Sequence, residues 1–226
     1  MAFRELSGSS VPLGKPAAAR GRRHFGLYRD GGKRLLDIAF VLAALPIVLP
    51  LLGALLLLAA LDGHSPLYRQ TRVGRRGRLF RMLKIRTMVP DAEMRLAELL
   101  AHDPQARREW VEAQKLKCDP RITPVGCFLR RSSLDELPQL WNVLTGDMSL
   151  VGPRPMLPEQ QELYPGSAYY RLRPGLTGPW QVSERNEGCF AGRAEYDTGY
   201  EQTLSLRGDL SILVRTVTVV LRGTGY

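Results

Sequence analysis

Leu129-Arg130-Arg131-Ser132-Ser133-Leu134-Asp135-Glu136-Leu137-Pro138-Gln139-Leu140-Trp141-Asn142-Val143-Leu144 sets two adjacent carboxylates at the point where a helix is expected to begin. Ser133 with Glu136 three residues on spells a capping box, and Leu134, Leu137, Leu140, Trp141 and Leu144 recur at helical spacing on the expected buried face. Asp135 and Glu136 then fall in the first turn, where unpaired amides and the positive end of the helix dipole favour negative charge. On this reading Asp135 stays ionised and a phosphate can dock nearby. Pro138 is tolerated so close to a helix start, and Gly146 supplies the C′ residue that ends the element.

A pair of acids at a helix start commonly does no more than complement the dipole. Here Arg130 and Arg131 precede the pair, and Arg154 follows between Pro153 and Pro155, which restrict the backbone on both sides. Carboxylates, a fixed arginine and a helix N-terminus together suit phosphate handling.

The chain of 226 residues can bury one sizeable core, and its formal charge of +10 calls for an anionic partner: nucleic acid, anionic lipid or a phosphorylated substrate. Its three cysteines, Cys118, Cys127 and Cys189, form no C-x-x-C pair, which fits reduced thiols in a cytosol-facing protein. Residues 1–32, rich in Gly, Ala, Ser and Arg without apolar periodicity, read as a disordered basic lead.

From Ile38 to Leu61 no polar side chain interrupts the sequence, a run of about 36 Å as helix against a bilayer core of about 30 Å. Arginines crowd both flanks, so by the positive-inside rule both belong in the cytoplasm. Pro46 and Pro50 are expected to break the run into halves too short to span alone. A helix that enters, bends at Pro50 and returns to the same face satisfies both facts, with a straight, proline-kinked span as the alternative. Residues 33–62 are therefore assigned to a re-entrant membrane anchor and 63–226 to one small cytosolic catalytic domain. The fold class is α/β, mostly helical, with interfacial amphipathic helices.

Beyond the anchor, Leu67–Gln70 and Leu79–Met88 read as strands flanking a basic turn, the second with the alternative of lying on lipid headgroups. Residues 91–101 and a segment from Asp103-Pro104 to about Leu116 read as helices. Asp119-Pro120-Arg121 and Pro174-Gly175 read as turns. Trp180 is weighed as a stacking platform for a nucleobase against ordinary core packing. The tail from Leu204 to Leu221 either caps the core or lies in the membrane interface.

With histidines only at 24, 64 and 102, any acid, base or nucleophile work after Asp103 falls to carboxylates. An aspartate can attack phosphorus and hold a phosphoryl group covalently, and Mg²⁺ on one or two carboxylates neutralises a transferring phosphate. P-loop, dinucleotide-binding and serine-hydrolase motifs are missing from the sequence. A glycosidase fits poorly, because its two carboxyls must flank a sugar rather than adjoin in one turn.

The ordered motifs Lys33-Arg34-x-x-Asp37, Lys84-x-Arg86-Thr87-Met88, Asp119-Pro120-Arg121-x-Thr123, Leu129-Arg130, Ser133–Gln139, Asn142–Ser149, Val151–Pro155 and Arg173–Gly178 together resemble the bacterial sugar transferase family. These are monotopic phosphoglycosyl transferases that move a hexose-1-phosphate from a UDP-sugar to undecaprenyl phosphate. The resemblance implies that Asp135 is the nucleophile, that Glu136 helps hold Mg²⁺ with Asp135 or assists proton transfer, and that Arg130 and Arg154 bind phosphate. It also implies that Pro50 bends the anchor and that Arg173, Trp180 and Arg185 are nucleotide or sugar contacts. It places the chain on the cytoplasmic face of the bacterial inner membrane, with a UDP-sugar, undecaprenyl phosphate and membrane lipid as partners and a homo-oligomer open. The short architecture is most similar to exopolysaccharide-initiating galactose-1-phosphate transferases. Departures from the family pattern are Leu49 in place of serine before the bend, the extra Pro46, Ile85 for phenylalanine and Glu184 for glycine.

The rival reading is a membrane-tethered nucleic-acid-binding protein. It requires basic clusters interleaved with aromatics on one element, whereas the arginines here are spread among Pro-Gly turns and beside carboxylates, so no nucleic acid is expected.

Overall fold

The structure, a computed structural model, describes residues 26–113, 116, 119–183 and 190–221. Within them the protein is mostly helical, with two small two-stranded sheets, as the α/β reading expects.

The chain enters on a π-helical turn, Tyr28–Gly32, followed by α1, Lys33–Ala60. The end of the expected disordered lead is thus ordered and docked: Tyr28 Oη donates to Asp209 Oδ2 at 2.6 Å and Arg29 Nη2 to Glu201 Oε1 at 3.1 Å. Residues 1–25 lie outside the described residues. Helical geometry continues through Pro46 and Pro50, so the expected pair of broken halves is one 28-residue helix, long and apolar enough to cross a membrane.

Both ends of α1 are held by the same domain. Near its start, Asp37, 2% exposed, accepts from Ser149 Oγ at 2.7 Å and Leu150 N at 3.1 Å, and Arg34 donates to the last carbonyls of the helix above it, Val143 and Leu144. Near its end, Arg86 binds the Ala59 carbonyl at 3.0 Å and the Asp62 carboxylate, which this hydrogen bond holds down at about 2. The middle of the helix, including Ile47, Leu49 and Leu57, stays exposed.

Strands β1 (Leu67–Val73) and β2 (Leu79–Ile85) form an antiparallel hairpin with Leu67 opposite Ile85 and Val73 opposite Leu79. Alternation along β2 buries Phe80 and Met82 and turns Leu79 and Arg81 outward, while Ile85 at its end is buried on the opposite face, as a strand requires. Helices α2 (Ala92–His102) and α3 (Pro104–Ala113) follow, and Asp103 Oδ1 caps α3 by accepting from Gln105 N and Ala106 N.

Helix α4 (Pro124–Arg131), which is additional to the helices expected above, starts at Thr123-Pro124: the Thr123 hydroxyl accepts from Gly126 N, with proline at N1. Next comes a 3₁₀ turn, Leu134–Glu136, and then α5 (Gln139–Thr145), ended by Gly146 at φ 92° as expected. The capping box is not formed, because Ser133 sits at φ 56° in the left-handed region and Pro138, not Ser133, occupies the N-cap. Shifting the helix start turns Asn142 and Val143 inward and leaves Trp141 61% exposed, against the expected apolar face.

Strands β3 (Ser149–Val151) and β4 (Gly175–Thr177) pair in parallel, with α6 (Ala168–Arg171) between them in sequence. Gly175 begins a strand here rather than a tight turn, because the Val151-Gly152-Pro153 backbone runs directly against it. A Cβ on Gly178 would lie 2.0 Å from the Gly152 carbonyl oxygen, so the two Gly-Pro motifs exist to let two backbones touch. Helices α7 (Pro179–Ser183), α8 (Arg193–Thr203) and α9 (Leu206–Leu221) close the domain. Helix α9 caps the core with Ile212 and Leu213, and leaves Leu206, Leu210, Val214 and Val217 exposed.

One core cluster joins Val41 of α1 to Phe80, Met82, Val143, Met148, Leu150 and Tyr200, and another joins Leu55 and Ala59 to Ile85 and Leu129. Burying the larger of those side chains contributes about 1.5–3 kcal/mol each, so the apolar helix is part of the domain's core at both of its ends.

Candidate active site

The carboxylate pair sits where α4, the hairpin and α5 meet. Gly126 of α4 lies so close to β2's exit that a Cβ there would be 2.0 Å from the Thr87 carbonyl oxygen, and this approach lets Arg130 Nε donate to Thr87 Oγ1 at 2.8 Å. The chain then reverses through left-handed Ser133, which tucks Asp135 inward, 6% exposed. Leucines 134 and 137 pack below it on the end of α1.

Lys84 of β2 bridges the pair, with Nζ 2.8 Å from Glu136 Oε1 and 3.6 Å from Asp135 Oδ2. Arg154, on the segment leaving β3, has Nη2 3.8 Å from Glu136 Oε1. Asp135, Glu136, Arg130 and Arg154 are therefore brought together as expected, and Lys84 joins them. The sequence predicts Lys84 only as a strand residue within Lys84-x-Arg86-Thr87-Met88. Its signal was the lone lysine alternating with apolar residues on a strand, and nothing local says that this side chain reaches across to a distant turn.

Asp135 departs from the expectation that a helix dipole keeps it ionised. Burial pushes its carboxyl up, and the Glu136 charge adds to that, while Lys84, Arg130 and Arg154 pull it down. The 3₁₀ turn carries little dipole, so ionisation depends on the three cations instead.

Two of the expected nucleotide or sugar contacts have partners within the protein. Trp180 is 4% exposed and its ring is covered by the Arg193 guanidinium at 4.2 Å, so core packing prevails over a stacking platform. Arg173 Nε donates to the Gly146 carbonyl at 3.0 Å, satisfying the end of α5. Arg185 and Glu184 lie outside the described residues. The Asp119-Pro120-Arg121 motif is a buried self-contained pair, with Arg121 Nη2 2.7 Å from Asp119 Oδ2 and the guanidinium over Trp110.

The site is thus a buried carboxylate ringed by cations, with a second carboxylate beside it, close to the end of the apolar helix α1. Residues 28–223 match the family described as bacterial sugar transferase, and the chain belongs to that family. It is 48% identical over 195 residues to an undecaprenyl-phosphate galactose phosphotransferase of Salmonella typhimurium and 47% identical to a UDP-galactose-lipid carrier transferase of Erwinia amylovora. Those alignments cover 85% of this chain but 41% of either relative, so the chain spans well under half the length of both. Against the exopolysaccharide production protein ExoY of Sinorhizobium fredii it is 43% identical over 196 residues, 85% of this chain and 87% of the relative.

Proposed function

We propose that the protein transfers a hexose-1-phosphate, galactose-1-phosphate by the names of its relatives, from a UDP-sugar to undecaprenyl phosphate as a membrane step of exopolysaccharide assembly. The observation that carries this reading is Asp135: buried, adjacent to Glu136, and surrounded by Lys84, Arg130 and Arg154. Asp135 Oδ attacks the sugar-linked phosphorus and the bond to the nucleotide phosphate breaks, releasing UMP. A lipid phosphate oxygen then attacks the same phosphorus and frees the Asp135 carboxylate. Arg130 and Arg154 hold phosphate oxygens throughout, and Glu136 binds a cation or assists a proton.

Asp135 and Glu136 fit Mg²⁺, since they offer two adjacent oxygen donors with no histidine or cysteine beside them among the described residues, while the substrate's phosphates would complete the ligand set. Bound there, the ion would offset charge building on the phosphates. Exhaustive EDTA treatment is expected to abolish UMP release and Mg²⁺ to restore it; full activity without added metal would contradict this.

The anchor reading rests on α1. Lys33, Arg34 and Asp37 at its start and Ala59 at its end bind one domain, which supports an anchor whose two ends lie on the same, cytoplasmic face of the inner membrane, as the re-entrant reading requires. Many arginines that give the chain its charge face internal carboxylates, as in Arg29 with Glu201 and Arg86 with Asp62, which weighs against a nucleic-acid stripe.

Intact-protein mass after incubation with UDP-galactose and no lipid tests the mechanism. The wild type gains one hexose-phosphate, Asp135→Asn gains none, and Glu136→Gln forms the adduct roughly 100-fold more slowly. An adduct on Asp135→Asn would remove Asp135 from the nucleophile's role.

A further inference from the structure

Three arginines from distant parts of the chain converge beside the carboxylate pair: Arg72 on β1, Arg154 after β3 and Arg193 at the start of α8. Burial, with the Arg154 charge beside it, brings Arg72 down to about 10 and Arg193 to about 9. Arg72 uses Nη1 on the Pro155 carbonyl at 3.3 Å and Nη2 on Gln70 Oε1 at 2.6 Å, both neutral acceptors. Arg193 lies between the rings of Trp180 at 4.2 Å and Phe190 at 4.6 Å. The Nε atoms of Arg72 and Arg193 are sealed from solvent and have no hydrogen-bond partner.

The acids nearby balance only part of this charge. Asp197 faces Arg193 with a carboxylate that also accepts from Tyr164 Oη at 2.7 Å. Glu136 is shared between Lys84 and Arg154. Buried guanidinium groups with idle donors and too little counter-charge are costly unless an anion completes them.

We propose that Arg72, Arg154 and Arg193 form one phosphate subsite that holds the departing nucleotide phosphate in the first half-reaction and the lipid acceptor's phosphate in the second, a role that rests on the reading above. The geometry of displacement requires a shared place. When the Asp135 oxygen bonds to the sugar-linked phosphorus, the group opposite it leaves with the bridging oxygen's electron pair, as a nucleoside monophosphate. When the aspartyl bond later breaks and its electron pair returns to Asp135, the incoming phosphate oxygen must again stand opposite Asp135. Both occupants are phosphate monoesters with up to two negative charges, more than the diester linkage of the intact donor carries, so a triple-arginine site suits them both.

The test uses UMP, uridine and undecaprenyl phosphate with the full chain in lipid nanodiscs. Arg72→Gln, Arg193→Gln and the more exposed Arg154→Gln are each expected to weaken UMP binding roughly 10-fold or more while leaving uridine binding unchanged. Each should slow both adduct formation and its discharge by undecaprenyl phosphate, with Arg193→Lys recovering part of the loss and unchanged circular dichroism excluding misfolding. UMP should compete with undecaprenyl phosphate for the isolated adduct. Wild-type discharge in variants slow to form the adduct would overturn the shared subsite, as would UMP affinity unaltered in all three. If the wild type forms no adduct at all, the catalytic reading fails, and selective loss of UMP over uridine in the variants still decides for the phosphate subsite or against it.

Discussion

Lys84 Nζ lies 3.6 Å from Asp135 Oδ2, and of the cations around that buried carboxylate it does most to keep it ionised. A strand residue therefore governs the charge state of a turn residue about fifty positions away, although it is closer to Glu136.

Replacing Lys84 with Met should act through this charge. Removing a cation favours the neutral acid, so the Asp135 carboxyl rises further and the acid limb of UMP release moves to higher pH. At neutral pH the rate should fall at least roughly 10-fold, with part recovered as pH is raised. A pH–rate profile that loses height without moving its acid limb would show that Lys84 only positions the pair.

Asp197 gives a stability effect of opposite sense to a salt-bridged carboxylate. Its folded value of about 6 lies above the ordinary 3.8, because burial outweighs Tyr164 and Arg193, so the folded state binds its proton more tightly than the unfolded chain does. Stability contributed by the neutral acid is present below about 4 and is lost as pH rises toward 6, by about 3 kcal/mol. Asp197→Asn should thus gain on the wild type in thermal unfolding as pH goes from 4 to 7; a gap constant with pH would refute this.

Asp37 ties the apolar helix to β3. Asp37→Ala leaves the Leu150 amide and the Ser149 hydroxyl buried without their acceptor, at a cost of about 3 kcal/mol, while Asp37→Asn keeps one acceptor and should cost less. Denaturation midpoints in detergent, ordered wild type, Asn, Ala, are the expected outcome, and equal midpoints would mean that the helix docks without this contact.

The two flanks of α1 should share one side of the membrane. Leu27 is 97% and Tyr68 43% exposed, so single cysteines there, with Cys118, Cys127 and Cys189 replaced, can be reached by maleimide. In intact cells neither should react with an impermeant reagent, and both should after lysis. Reaction of Leu27→Cys alone before lysis would establish a transmembrane span.

The sequence by itself determined most of the helices, the apolar helix, the hairpin and the carboxylate pair: local spacing, turn residues and the adjacency of Asp135 and Glu136 do not depend on the rest of the fold. Arg130 and Arg154 were legible for the same reason, since a loop motif fixed by prolines or by a helix end advertises itself locally. Tertiary structure alone decided that the pair sits in a 3₁₀ turn instead of a capped helix. Packing of α4 on Thr87 and the left-handed reversal at Ser133 move the helix start to Pro138 and bury Asp135. It also decided that Trp180 lies in the core beneath Arg193, and that Lys84, Arg72 and Arg193 reach the site. Those three come from a hairpin and a helix far apart in the chain, and no periodicity records which side chains meet once separate elements share one core.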